Sequence, residues 1–132
     1  MIGWDTNVLL RLALSDDPEQ ARLARESMIR HSEEGIRIDR IVLVEVAWAM
    51  RRVYRLDRDR IAGLLGSLLT IQGLVIDARG VVMQAVRRYA SGRADFTDYL
   101  IGGLNETEGA APTHTFDRRA AEEPDFALIA KD

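Results

Sequence analysis

The opening stretch Met1-Ile2-Gly3-Trp4-Asp5-Thr6-Asn7-Val8-Leu9-Leu10 places an aspartate inside an otherwise apolar run. Ile2 to Asp5 reads as a short strand, and the apolar spacing from Val8 onward reads as a helix that follows it. Carboxylates are rarely buried without a partner or a metal, so Asp5 needs a role. One role is local: Asp5 caps the new helix by accepting a hydrogen bond from a free backbone N–H. The other is chemical, because ligands of parallel α/β sheets gather at the carboxyl ends of the strands. A strand that ends on an acid and turns into a helix is the unit on which the fold reading rests.

Similar units recur along the chain. Asp16-Asp17-Pro18 signals a turn and a helix start, and Ala21, Ala24, Met28 and Ile29 keep helical spacing within Glu19 to Glu34, with Gly35 as the stop. Ile36 and Ile38 alternate with charged neighbours like a short strand. The run RIVLVEVAWAMRRVY, residues 40–54, predicts a largely buried helix, and Arg60 to Ile71 a further one ended by Gly73. Leu74-Val75-Ile76 is a strand-like triplet before Asp77. Val81 to Tyr89 is the next helix, closed by Ser91-Gly92. ADFTDYLIGGLNETEGA, residues 94–110, begins a helix with acids and ends it at Gly109. Ala110 to Thr115 and Phe126 to Ile129 supply two more strands. Such alternation predicts an α/β fold with a central, mainly parallel sheet of about four to five strands flanked by helices. No repeat or low-complexity linker interrupts it, so residues 1–132 are expected to form a single domain.

Composition narrows the chemistry. Hydrophobic residues make up 47% and charged residues 30% of the chain, the balance of a folded rather than a disordered protein. No apolar stretch suits a membrane span and the start lacks a basic-then-apolar signal pattern, so a cytoplasmic protein without membrane contact is expected. The absence of cysteine excludes a disulfide framework, a thiol nucleophile and thiolate zinc sites. With only His31 and His114, histidine-rich metal sites and triad hydrolases are poorly supported. Carboxylates remain as the hard ligands. The net charge of −3 argues against coating nucleic acid by bulk electrostatics. All basic residues except Lys131 are arginines, clustered at Arg51 to Arg60, at Arg87, Arg88 and Arg93, and at Arg118 and Arg119. These forks suit phosphate or carboxylate partners, or else solvated helix faces paired with acids such as Asp57 and Asp59.

Several isolated acids stand out. Asp5 ends the first strand, Glu45 interrupts an apolar helix, Asp95 and Asp98 open another helix, and Asp117 follows a strand. Each has a purely structural alternative. Glu45 is favoured by the helix dipole early in its helix, though its apolar neighbours leave it only partly solvated. Asp95 and Asp98 have the spacing of a capping box, and Asp117 suits the N-cap of a short helix through Arg118 to Glu122. What they share is a position from which they are expected to converge at one end of a parallel sheet.

The segments MIGWDTNVLLR, VLVEVAWAMRR, YASGRADFTDYLIGGLNETEG and THTFDRRA occur in the order of the signature of PIN-domain proteins, and the chain resembles in particular the VapC-type toxin ribonucleases of bacterial toxin–antitoxin pairs. The resemblance implies a Rossmann-like three-layer sandwich. It further implies a magnesium-dependent endoribonuclease, with manganese able to substitute, acting on RNA as a homodimer and inhibited by a cognate VapB-type antitoxin. Position by position, Asp5 resembles the first acid, supported by hydrogen bonds from Thr6 and Asn7. Glu45 matches the second acid, Asp98 the third, Asp95 the extra aspartate of a subgroup, and Asp117, after Thr115, the acid of the last motif. Pro112 in the last segment suits a strand at or near a sheet edge.

Charge chemistry points the same way. Several carboxylates packed together stay ionised only if cations neutralise them. Magnesium accepts a few carboxylates and keeps several waters, and it supports phosphodiester hydrolysis without a protein nucleophile. A haloacid-dehalogenase phosphatase needs a second acid where Asn7 stands, a receiver domain needs a partner lysine, and the glycines of GGLNETEG do not follow a strand as a dinucleotide loop requires. The rival readings are a non-catalytic PIN-like module that binds RNA or protein, and a structure-specific DNA nuclease. Leu9, Leu10, Leu12, Val46 and Met50 either line a groove for an amphipathic partner helix or belong to the core.

Overall fold

The computed structural model describes residues 1–130; Lys131 lies outside the described residues. The chain forms two compact units, one from Met1 to Arg79 and one from Gly80 onward.

The first unit is built on β1 (Ile2–Gly3), α1 (Thr6–Leu14), α2 (Pro18–His31), β2 (Ile36–Ile38), α3 (Arg40–Arg52), α4 (Arg58–Leu69) and β3 (Leu74–Ile76). The strands make one parallel sheet in the order β1-β2-β3, with Ile2 opposite Ile36 and Ile36 opposite Leu74. All four helices of this unit start on an aspartate cap. Asp5 accepts from the Val8 amide (3.2 Å), Asp17 from Gln20 (3.1 Å), Asp39 from Ile41 (2.8 Å) and Asp57 from Arg60 (2.8 Å). Each such cap stabilises its helix by about 1 kcal/mol. The chain enters β2 and β3 through Gly35 and Gly73, at φ +95° and +98°, where a side chain would be strained. Leu9, Leu10, Val46 and Met50 are buried, so these four belong to the core and offer no groove to a partner.

The second unit holds α5 (Arg79–Ser91, whose first residue is the unit boundary), α6 (Phe96–Thr107), β4 (Thr113–Thr115), a single 3-10 turn (Ala120–Glu122) and β5 (Phe126–Leu128). β4 and β5 pair in parallel, Thr113 opposite Phe126 and Thr115 opposite Leu128. Pro112 comes just before a strand with a single partner, where a missing amide hydrogen costs no ladder bond. Tyr89 and Phe96 pack edge to face at 6.4 Å.

The mixed α/β character with parallel strands agrees with the sequence reading, but the sheet is smaller than expected. Three strands pair in the first unit and two in the second, instead of four or five in one sheet. Alternation identifies strands, whereas pairing depends on long-range contacts that a run of three residues does not encode. β1 also stops at Gly3, because Asp5 already serves the helix. Among the described residues, no helix is long and apolar enough to cross a membrane.

Candidate carboxylate site

At the carboxyl end of the three-stranded sheet every strand runs into an aspartate: Asp5 after β1, Asp39 after β2 and Asp77 after β3. Two of them are neutralised. Asp77 is held by Arg40 (2.8 and 3.3 Å) and, at 3.7 Å, by Arg37, and the Arg40 hydrogen bond keeps its carboxyl below the usual range. Asp39 accepts from the Ile41 amide and from Arg37 (3.0 Å), and these bonds lower it as well. Asp5 differs: it is exposed, binds the Val8 amide and makes no ion pair among the described residues.

Glu45, in the second turn of α3, is exposed, since Val46 and Ala47 turn inward at the helical period while Glu45 does not. It accepts a hydrogen bond from the Thr6 hydroxyl at 3.0 Å. Thr6 therefore reaches the second acid across 39 residues of sequence, not the first acid beside it. Asn7 is exposed and lines two clefts of this unit. One, of about 350 Å³, lies between α1 and α3 beside Thr6, Glu45 and Trp48. The other, of about 500 Å³, includes Asp5, Val8 and Arg11.

In the second unit, Asp95 caps α6, and Asp98 accepts from the Asp95 amide at 3.2 Å, closing a reciprocal capping box. Asp98 is half-buried, and burial pushes its carboxyl above the usual range. The Asp95 amide opposes that shift, and the negative charges of Asp95 and Asp117 add to it. Asp117 is positioned by its own amide, which donates to Thr115 Oγ1 at 3.0 Å, and its carboxylate accepts from the amides of Arg119 (2.8 Å) and Ala120 (3.4 Å). The 3-10 turn that follows begins only at Ala120, so the short helix expected from Arg118 is shorter. Asp95 and Asp117 are thus close enough for their charges to be felt at Asp98. Capping occupies only part of what a carboxylate can accept, so structural and chemical roles coexist in the same side chains.

A clamp absent from the sequence reading fixes the start of α6. The Tyr99 hydroxyl donates to Glu123 (2.6 Å) and accepts from the Ala94 amide (3.4 Å), while the Arg88 guanidinium lies 5.0 Å above the Tyr99 ring. Arg88 also binds Asp125 (2.6 and 3.0 Å) and Glu123 (3.5 Å). Arg93 pairs with Glu122 (3.2 Å). The arginine cluster at residues 87–93 was visible in the sequence; its destination, the acids of residues 122–125, was not.

These residues fit a hard cation in donor chemistry. Asp98 and Asp117 offer carboxylate oxygens, and among the described residues neither makes an ion pair. Magnesium takes one or two carboxylates and fills its remaining positions with water. Among the described residues, no group of three or more His, Cys, Asp or Glu is placed so that it could hold a metal ion. Compared with protein-family models, with curated proteins and with solved structures, the chain matches none.

Proposed function

We propose that this chain is a magnesium-dependent endoribonuclease of the PIN-domain, VapC-like kind, a cytoplasmic toxin held in check by a VapB-type antitoxin. The observation that carries the reading is that half-buried Asp98 feels the negative charges of Asp95 and Asp117, while Glu122, Glu123 and Asp125 of the same unit are each matched by an arginine. A half-buried carboxylate held among like charges suits a cation. The three-layer PIN sandwich and the homodimer belong to the same reading.

In this account Asp98 and Asp117 hold the ion, with Asp95 adding charge beside them, and Asp5 and Glu45 of the first unit serve the same activity; manganese substitutes for magnesium. When bound, the ion supplies activation of water and stabilisation of charge developing on phosphate. The residues of the chain do the positioning. Thr115 fixes the backbone of Asp117, the Asp95 amide orients the Asp98 carboxylate, and the Thr6 hydroxyl holds Glu45. The rival is a non-catalytic RNA- or protein-binding module, favoured by the fact that helix capping accounts for Asp5, Asp95 and Asp98 without any metal.

Asp5→Asn separates the two. Asparagine keeps an oxygen for the Val8 amide, so folding is retained, while cleavage of RNA in magnesium is lost and expression no longer slows growth. Co-expression of the cognate antitoxin restores growth to cells making the wild-type chain. Equal cleavage by both proteins, or growth unaffected by either, favours the binding module.

A further inference from the structure

Trp48 is 59% exposed, an unusual setting for the largest apolar side chain, whereas the other tryptophan, Trp4, is buried with its indole N–H on Ser27 Oγ at 3.0 Å. Trp48 lies on α3 between Glu45, three residues before it, and Arg52, four residues after it, so the three share one helix face at steps of about one turn, ~5 Å. All three are exposed, and neither Glu45 nor Arg52 makes an ion pair among the described residues. The indole borders the cleft of about 350 Å³ whose rim also carries Asn7, an amide able both to donate and to accept.

Resting on the ribonuclease reading, we propose that Trp48 is a stacking platform for one unpaired base of the RNA, with Arg52 on the adjoining phosphate and Asn7 on the base edge. Single strands are held by aromatic faces beside cations that follow the backbone, because every base has a π-face and every linkage a charge. The aromatic and the cation one turn apart on this face match that pattern. An indole alone would serve a protein partner equally well; the exposed guanidinium one turn beyond it favours a polyanion. Trp48 acts on binding and discrimination, and takes no part in the chemical step.

The full chain carrying Asp5→Asn, which binds without cutting, is titrated in magnesium buffer with a mixed-sequence RNA decamer and with an abasic ribose-phosphate decamer. The RNA is expected to quench the exposed tryptophan emission and the abasic strand is not. Trp48→Ala is expected to weaken RNA binding on the order of tenfold or more, with Trp48→Phe retaining most of it. Arg52→Gln is expected to lower the dependence of log affinity on log salt by about 0.7. In the otherwise wild-type chain, Trp48→Ala raises KM and leaves kcat largely unchanged. Equal quenching by both strands, or unchanged affinity in Trp48→Ala while cleavage persists, overturns the platform and leaves the ribonuclease reading intact. Quenching by RNA with no cleavage by the wild-type chain supports the platform and removes the nuclease. If Trp48→Ala instead turns a dimer into a monomer with RNA affinity unchanged, the face belongs to a second copy and the platform is overturned.

Discussion

Replacing Arg88 by methionine tests whether the clamp at the start of α6 is a source of stability for the second unit. The change keeps much of the aliphatic stem and removes the only guanidinium that binds Asp125 among the described residues. The side chains of Arg88 and Asp125 are 24% and 9% exposed, so the pair is largely but not wholly withdrawn from water. Breaking a fully buried pair by removing one partner costs about 3–5 kcal/mol, and partial solvation reduces that to roughly 2–4 kcal/mol here. That figure takes in the cation–π contact with Tyr99, worth about 0.5–1 kcal/mol. Arg88 holds the Asp125 carboxyl below its usual range, so its contribution is present above the ordinary carboxylate range and is lost as pH falls through the depressed folded value. Urea denaturation of wild type and Arg88→Met at pH 7 and at about pH 2 reads this directly, with the deficit smaller in acid. A deficit below about 1 kcal/mol at pH 7, or one that does not shrink on acidification, would refute the reasoning.

Gly92→Ala is expected to destabilise the protein by about 1–3 kcal/mol in the same assay and, on the proposed ribonuclease reading, to reduce RNA cleavage, because a Cβ there collides with the Tyr99 hydroxyl and approaches the Arg88 carbonyl to 2.8 Å. Unchanged melting and cleavage would show that the clamp tolerates displacement. Asp77, whose carboxyl is lowered chiefly by the Arg40 hydrogen bond, contributes stability above the ordinary carboxylate range that is lost as pH falls from about 5 toward 2. Asp77→Asn should flatten that acid limb of the thermal melting curve, and an unaltered limb would assign acid unfolding to other groups.

The strand and helix inventory was legible because short apolar runs, Gly stops and Asp starts agree with one another. Asp17-Pro18 and Asp39 begin helices as capping chemistry dictates, and the box at Asp95 and Asp98 follows from its spacing. What stayed hidden depends on distance in sequence. The division of five strands into two sheets, the Thr6–Glu45 bond across 39 residues and the Arg88–Asp125 pair across 37 leave no local signature. Glu45 was expected to be shielded by Val44 and Val46, yet adjacent residues on a helix point about 100° apart, so apolar neighbours do not cover it. The platform at Trp48 was obscured for the same reason: within an apolar run, periodicity alone does not say which single large side chain faces outward.

The central claim is that Asp98 and its neighbours are arranged for a cation, and thermal melting of wild type and Asp98→Asn, each in EDTA and in magnesium, tests it most directly. Burial and the charges of Asp95 and Asp117 raise the Asp98 carboxyl, so this group destabilises the metal-free fold increasingly as pH rises through and above the ordinary carboxylate range. Asparagine removes that charge and keeps an oxygen for the Asp95 amide. The account predicts that at pH 7 Asp98→Asn melts higher than wild type in EDTA, that magnesium raises the melting temperature of wild type but scarcely that of the variant, and that only wild type cleaves RNA. Equal stabilisation of both proteins by magnesium, with cleavage retained by Asp98→Asn, would contradict it.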